Sequence, residues 1–499
     1  MADWHVGGTE TTSTDRPTDR PTVAIAGATG FVGTALRRAL VEQTDVVALT
    51  RSPVRAQANA ASDSRVEWRH CDLFDPYAVK QGLHGVDYAV YLVHSMHPSS
   101  RLTQAKVADL DLLMADNFAR AAETQGVRQI LYIGGLVPHD APELPRRLRN
   151  RREVEQALAS GAAPVTTLRA GLIVGAGGTW LRMVLNLVRR LPVMILPAWT
   201  QATTQPVARA DVVRGLLRCL GDPETYGSVY DVGGPERMSY RELLQKTARV
   251  LGLRRHMVTV PVGSPRLSKL WVRIFGGVPW AIVSPLIDSL RYQAEVRDNP
   301  LQRWLMQDPT TYATALRGAV DASGQPRPNP RAELRSADDA VIREDSRARS
   351  VQRLPLPPGF TARDVADEYM RWLPSFGWPF LKCTVLKERT VRFQLRPLNL
   401  TLLELTFAPE RSPEGRELFF VTGGLLADLQ GARTGRLEFR CTLDDRAVIA
   451  AVHDFSPMLP WYVYNATQAL AHLLVMNGFG RHLQDLKPSA ETSETVAAA

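Results

Sequence analysis

Thr22-Val23-Ala24-Ile25-Ala26-Gly27-Ala28-Thr29-Gly30-Phe31-Val32-Gly33 is the stretch on which the fold turns. Five β-prone residues, Thr22 to Ala26, lead straight into a glycine-rich turn, and Leu36, Leu40 and Val41 follow at helical spacing. Gly27, Gly30 and Gly33 meet three separate needs: a tight turn, close approach of main chain to phosphate, and close packing of helix on strand. The helix that starts near Phe31 and Val32 turns free N–H groups and its positive dipole end toward a pyrophosphate. The stretch predicts a dinucleotide site, with Thr29 inside the turn.

Outward from this turn, strand and helix alternate to about residue 235, as a parallel sheet with crossover helices requires. Strands are expected at Val46–Thr50, Val66–His70, Asp87–Val93, Gln129–Ile133 and Val165–Leu168, with helices at Leu102–Thr124 and Arg151–Ala159. Residues 236–320 read as a mostly helical, substrate-side region, including Tyr240–Leu251 and the Trp271–Val296 stretch. The segment 321–349, rich in Pro, Asn, Arg and Ser at its start, reads as a linker. Residues 350–487 change pattern: a strand at Val351–Leu354, a helix at Ala362–Leu373, six short strands between Cys383 and His453, and a closing helix from Trp461 to Leu486. The fold class is therefore α/β, a Rossmann-type doubly wound parallel sheet over 21–320. An α+β domain with a curved antiparallel sheet and a long terminal helix follows. Residues 1–20 and 488–499 read as disordered tails.

Composition narrows the function classes. The chain has 499 residues, 45% of them hydrophobic, enough for two or three cores. The formal charge of +9 comes mainly from arginine, since only seven of the 60 basic residues are lysine. Apart from Arg146–Arg152 the arginines are dispersed, which argues against nucleic acid as a partner. Cys71, Cys219, Cys383 and Cys441 are too scattered for a disulfide framework, and no His–Cys spacing suits a metal. The most apolar stretch, Leu270–Ile287, is broken by Arg273, two glycines and two prolines. It predicts no transmembrane segment and leaves peripheral membrane contact open. The expected compartment is the cytoplasm.

Four segments carry a family resemblance: the 27–33 turn; Cys71-Asp72-Leu73 after the third strand; Tyr91-Leu92-Val93-His94-Ser95-Met96; and Val229-Tyr230-Asp231-Val232-Gly233-Gly234-Pro235-Glu236 leading into Ser239-Tyr240-Arg241-Glu242. On these the first 320 residues resemble the atypical, extended short-chain dehydrogenases/reductases, near the NmrA-like NAD(P)-binding proteins. The resemblance implies that Gly27, Gly30 and Gly33 lie at the diphosphate and that Asp72, with Leu73 beside it, reads the adenine amino group. It also implies that Leu92, Val93 and His94 line the path to the nicotinamide ribose. For Asp72 the alternative is a helix cap ahead of Pro76. An acidic residue commonly ends the second strand of NAD sites. Here the strand ends in Arg51-Ser52, with Arg55 one turn on, which favours NADP over NAD because guanidinium pairs with phosphate.

The usual catalytic device of that superfamily is missing. None of the 12 tyrosines has Lys four residues later. By the resemblance, Arg147 takes the Tyr position, Arg151 the Lys position and Gly134-Gly135 the Ser position. Arginine is no general acid near neutral pH. His94 and Ser95, at the carboxyl end of the fourth strand, become the candidate proton donors, with His97 and His139 also near strand ends. Met96, Gly135, Arg169 and Gly171 are expected to line the substrate pocket, with Asp211 closing it or capping a helix. The aromatics Trp372, Phe376, Trp378, Phe380, Trp461, Tyr462 and Tyr464 either fill a core or line a cavity. The layout of the second domain resembles helix-grip ligand-binding domains. Three readings stand: an oxidoreductase acting on a small apolar molecule, a non-catalytic NADP(H)-sensing regulator or assembly factor, and a lipid- or quinone-binding protein.

Overall fold

The computed structural model describes residues 20–52, 56–57, 64–94, 102–138, 143–260, 292–327, 347–376, 381–429, 435–443 and 445–486. Its first part holds the strands β1 (Thr22–Ala26), β2 (Asp45–Thr50), β3 (Val66–His70) and β4 (Tyr88–Tyr91). After these come β5 (Leu102–Ala105), β6 (Gln129–Gly135), β7 (Val165–Ala170) and β8 (Val229–Val232). Seven of these form one parallel sheet in the order β8-β7-β6-β4-β1-β2-β3. Every residue of β1 is buried, because helices cover both faces of a parallel sheet and no polar side is needed. Strand order reverses between β1 and β4, and ligands bind outside the carboxyl ends of strands at such a point.

Helix α1 (Gly33–Leu40) buries Leu36 and Leu40 against this sheet and ends on Arg37 and Arg38. Helix α2 (Pro76–Gly82) is capped by Asp75, which accepts from the Tyr77 amide, with Pro76 in the first turn. The cap expected of Asp72 thus falls on Asp75. Helices α3 (Val107–Thr124) and α4 (Arg146–Ala159) follow, then α5 (Thr179–Arg190), α6 (Arg209–Cys219) and α7 (Tyr240–Val250). The last of these is held by a Ser239–Glu242 capping box. Short helices α8 (Pro300–Leu305) and α9 (Tyr312–Ala319) close this part. Most of the Trp271–Val296 stretch lies outside the described residues.

A second sheet contains β9 (Ala348–Pro355), β10 (Leu381–Val385), β11 (Val391–Leu395) and β12 (Leu400–Phe407). It continues with β13 (Arg416–Gly423), β14 (Arg436–Thr442) and β15 (Ala447–Phe455), in the order β10-β11-β12-β13-β14-β15-β9-β5. Helices α10 (Ala362–Trp372), α11 (Trp461–Ala466) and α12 (Gln468–Asp485) complete the domain. Trp372, Phe376 and Phe479 pack ring on ring there, at 4.8 and 5.4 Å from Trp372. Trp378 and Phe380 lie outside the described residues.

Two expectations need correction. The helix expected over 102–124 begins only at Val107, because Leu102–Ala105 pairs in parallel with β9, Leu102 opposite Ala348. Tertiary pairing overrides local propensity there, and the amino-terminal half contributes an edge strand to the other sheet. The long terminal helix is broken at Thr467 (φ −124°, ψ −82°), whose hydroxyl donates to the Val463 carbonyl.

Helix α3 lies between the two sheets and buries acids: Asp109, Asp111 and Asp116 are each under one-tenth exposed. Arginines of the second sheet meet them. Arg353 of β9 pairs with Asp109 at 2.9 Å and with Glu153 of α4 at 2.9 Å. Arg440 of β14, only 1% exposed, donates to Asp116 at 2.5 Å and Asn117 at 2.6 Å and also pairs with Glu438. Burial alone would raise the Glu438 carboxyl, but Arg440 and Arg416 hold it well below its ordinary value. Removing one partner of such a pair strands the other charge in a dry interior. Arg440→Met is therefore expected to lower the unfolding free energy by about 3–5 kcal/mol, read from a denaturant titration. An unchanged midpoint would contradict the pairing.

Candidate functional site: a dinucleotide cradle

The cradle is built by glycine at two places. Gly27 ends β1 at φ +90°, a backbone conformation L side chains rarely adopt, and a Cβ there would stand 3.0 Å from the Leu92 carbonyl. At Gly33 a Cβ would stand 2.2 Å from the Gly27 carbonyl, so only glycine lets α1 approach the turn. The turn closes with the Gly30 amide donating to the Gly27 carbonyl at 2.8 Å. Val32 caps α1 with no side-chain hydrogen bond, and no acidic residue stands in the first turn. The first N–H groups of α1 and its positive end suit a diphosphate.

One cation at this turn was missed in the sequence. Arg209, at the start of α6, donates to the carbonyls of Phe31 (3.3 Å) and Ala176 (2.9 Å), with its guanidinium 5.1 Å from the Phe31 ring. No motif marks it, because 178 residues separate it from Phe31.

Arg51 is exposed just past β2, and its carbonyl hydrogen-bonds His70 Nε2 at 3.1 Å. Leu73 is buried. Asp72 accepts from the Phe74 amide at 3.2 Å and pairs with Arg349 of β9 at 2.7 Å. Burial would raise its carboxyl, but the Arg349 charge and the Phe74 amide hold it below the usual 3.8.

Past β4, the Leu92 amide donates to the Ala26 carbonyl at 2.9 Å and extends the β1–β4 pairing beyond the strand end. Val93 packs against the core, and half-buried His94 comes next. Helix α4 brings Arg147 and Arg151 into the field of His94. Arg151 donates to the Ile133 carbonyl at 3.1 Å, and its own carbonyl accepts from Tyr132 at 3.2 Å. Burial, then Arg151, pushes Arg147 down to about 10, which leaves it a cation at neutral pH. Burial, then Arg151 and Arg147, holds His94 well below 6.5. This environment favours the neutral imidazole over the imidazolium at His94.

The remaining expected residues separate. Gly135 lies against α4, where a Cβ would meet Leu148 at 2.7 Å. Gly171 lies where a Cβ would stand 2.9 Å from the Gln205 carbonyl. Arg169 is inside β7 and forms a buried bidentate pair with Glu155, at 3.1 and 2.7 Å. Asp211 is buried and binds the Thr310 amide and hydroxyl at 2.9 and 3.0 Å, pinning a loop. Ser95, Met96, Arg55, His97 and His139 lie outside the described residues.

Comparison with known proteins agrees with this geometry. Residues 27–223 match the family described as NAD(P)H-binding. The auxiliary protein GraX of Staphylococcus aureus is 31% identical over 116 residues, which are 23% of this chain and 37% of GraX. A (4-alkanoyl-5-oxo-2,5-dihydrofuran-3-yl)methyl phosphate reductase of Streptomyces griseus is 26% identical over 230 residues, 46% of this chain and 74% of that one. The triphenylmethane reductase of Citrobacter sp., solved with NADP(H), superposes with a TM-score of 0.49 at 20% identity, covering 60% of this chain and all of the other. The match to an NAD(P)H-binding family spans most of the amino-terminal part, from the glycine turn to the residues just past α6. No described helix is long and apolar enough to cross a membrane.

The depressed ionisation of His94 has a stability consequence. Below about 6.5 the unfolded chain takes up a proton that the folded one refuses, so this contribution to stability falls as pH falls. His94→Gln is expected to lose less stability than the parent between pH 7.5 and 5.5, measured by denaturant midpoints at each pH. Equal losses would contradict the environment assigned to His94.

Proposed function

We propose that the amino-terminal domain binds NADP(H) and reduces a small, apolar carbonyl or quinone acceptor by a route without the Tyr–Lys pair. The glycine turn carries the proposal, since Gly27 at φ +90° and the unobstructed approach at Gly33 serve a diphosphate. Thr29, Gly30, Phe31 and Val32 complete the cradle, with Arg209 as a further positive charge. Asp72 and Leu73 take the adenine, Arg51 the 2′-phosphate, and Leu92 and Val93 the nicotinamide ribose. Bound there, the dinucleotide supplies a hydride.

At the far end, Arg147 and Arg151 stabilise negative charge that develops on the acceptor oxygen. Neither arginine gives up a proton at neutral pH, so water supplies it, oriented by the neutral imidazole of His94. The Streptomyces griseus relative is a reductase by name, in accord with this chemistry. A dinucleotide-responsive regulator is the second reading, favoured by one observation: Asp72 is paired to a strand of the other sheet.

NADPH oxidation across a panel of carbonyls and quinones tests the proposal. Turnover is expected, with Arg147→Met lowering kcat at least about tenfold at unchanged NADPH affinity. Arg51→Asp is expected to weaken NADPH by about tenfold or more while sparing NADH, a figure that allows for the exposure of Arg51. Tight NADPH binding with no oxidation on any acceptor would favour the regulator.

A further inference from the structure

We propose that Arg349, delivered by the second sheet, is a positioning residue of the nucleotide site that fixes the Asp72 carboxylate for the exocyclic amino group of an adenine. The inference rests on the placement of Asp72 at the adenine.

Arg349 stands in β9 opposite Thr103, is 3% exposed, and reaches across the domain boundary to Asp72 at 2.7 Å. Its guanidinium lies 4.9 Å from the Phe74 ring, which packs 4.6 Å from the ring of His453 in β15. The rest of the loop is held from the same side. Arg436 of β14 stands 3.8 Å from Asp75 and 2.9 Å from Asp454. Arg440 donates to Asn117 at 2.6 Å, and Asn117 donates in turn to the carbonyls of Leu73 and Phe74 at 3.0 and 3.2 Å. Side chain and backbone of Asp72–Asp75 thus take their position from another domain.

The chemistry suits a hydrogen-bond acceptor held in place. A carboxylate oxygen carries two lone pairs, so Asp72 can receive the Arg349 and Phe74 protons and still accept from an amino group. Its side chain keeps 20% of its surface exposed, whereas Arg349 keeps 4%. The acid is the more accessible member of the pair and the arginine the more enclosed. Arginine fits this post because its planar fork fixes an orientation that a lysine ammonium leaves free.

Affinities of the full chain for NADPH, for its hypoxanthine analogue (deamino-NADPH) and for reduced nicotinamide mononucleotide test the assignment. The hypoxanthine analogue turns a carbonyl toward Asp72, and the mononucleotide has no purine. The parent is expected to prefer NADPH over the analogue by about tenfold or more. Arg349→Gln should reduce that preference to about threefold or less and leave mononucleotide affinity unchanged, with Arg349→Lys between the two. If Arg349→Gln does not fold, a preference in Arg349→Lys below that of the parent decides the matter. Preference intact in the Arg349 variants but lost in Asp72→Asn would overturn the role of Arg349 alone. Preference intact in Asp72→Asn would remove the adenine placement itself. Equal losses for all three ligands would assign Arg349 a merely structural role.

Discussion

Charge buried between two sheets is the constraint from which the rest of this structure follows. Helix α3 covers one face of the parallel sheet, yet its outer side carries Asp109, Asp116 and Asn117, groups that cannot enter a dry interior unpaired. The second sheet answers with Arg353 and Arg440, and α4 adds Glu153 to the same network. Such pairs contribute less to stability than apolar packing would, but they fix register and orientation when every member is satisfied. Apolar residues of both parts, Leu112 and Phe118 with Val351 and Ile449, fall in one continuous core.

That arrangement lets the proposed nucleotide site depend on residues far from its motif. The glycine turn is local, made by Gly27, Gly30, Gly33 and the start of α1. The loop after β3, proposed to take the adenine, is not: it leans on Arg349, Arg436 and the Arg440–Asn117 relay. Past β4, the face of α4 toward β6 brings Arg147 and Arg151 into the field of His94, and its other face brings Glu153 to Arg353. Both segments therefore touch the second sheet, through different helices and loops.

Legibility in the sequence followed the range of the interaction. The glycine turn, β1, β3 and the helices starting at Tyr240 and Ala362 depend on neighbours within a few residues, and each was readable. The strand Leu102–Ala105 was read as helix because its partner lies more than 240 residues away. Arg209 and Arg349 look like any other arginine in an arginine-rich chain, and only the folded contacts single them out. His94 stands at a strand end in the sequence, but the charges around it come from α4, which the sequence does not bring near it. The break at Thr467 had no proline or glycine to announce it.

The central claim is that one dinucleotide groove is shared between the glycine turn and a loop held by the second sheet. Hydrogen–deuterium exchange of the full chain with and without NADPH addresses it most directly. Protection is expected in two separate places, the 27–33 turn and the 72–75 loop together with β9. Protection absent from the turn, or a turn protected while the loop and β9 exchange as before, would contradict the account.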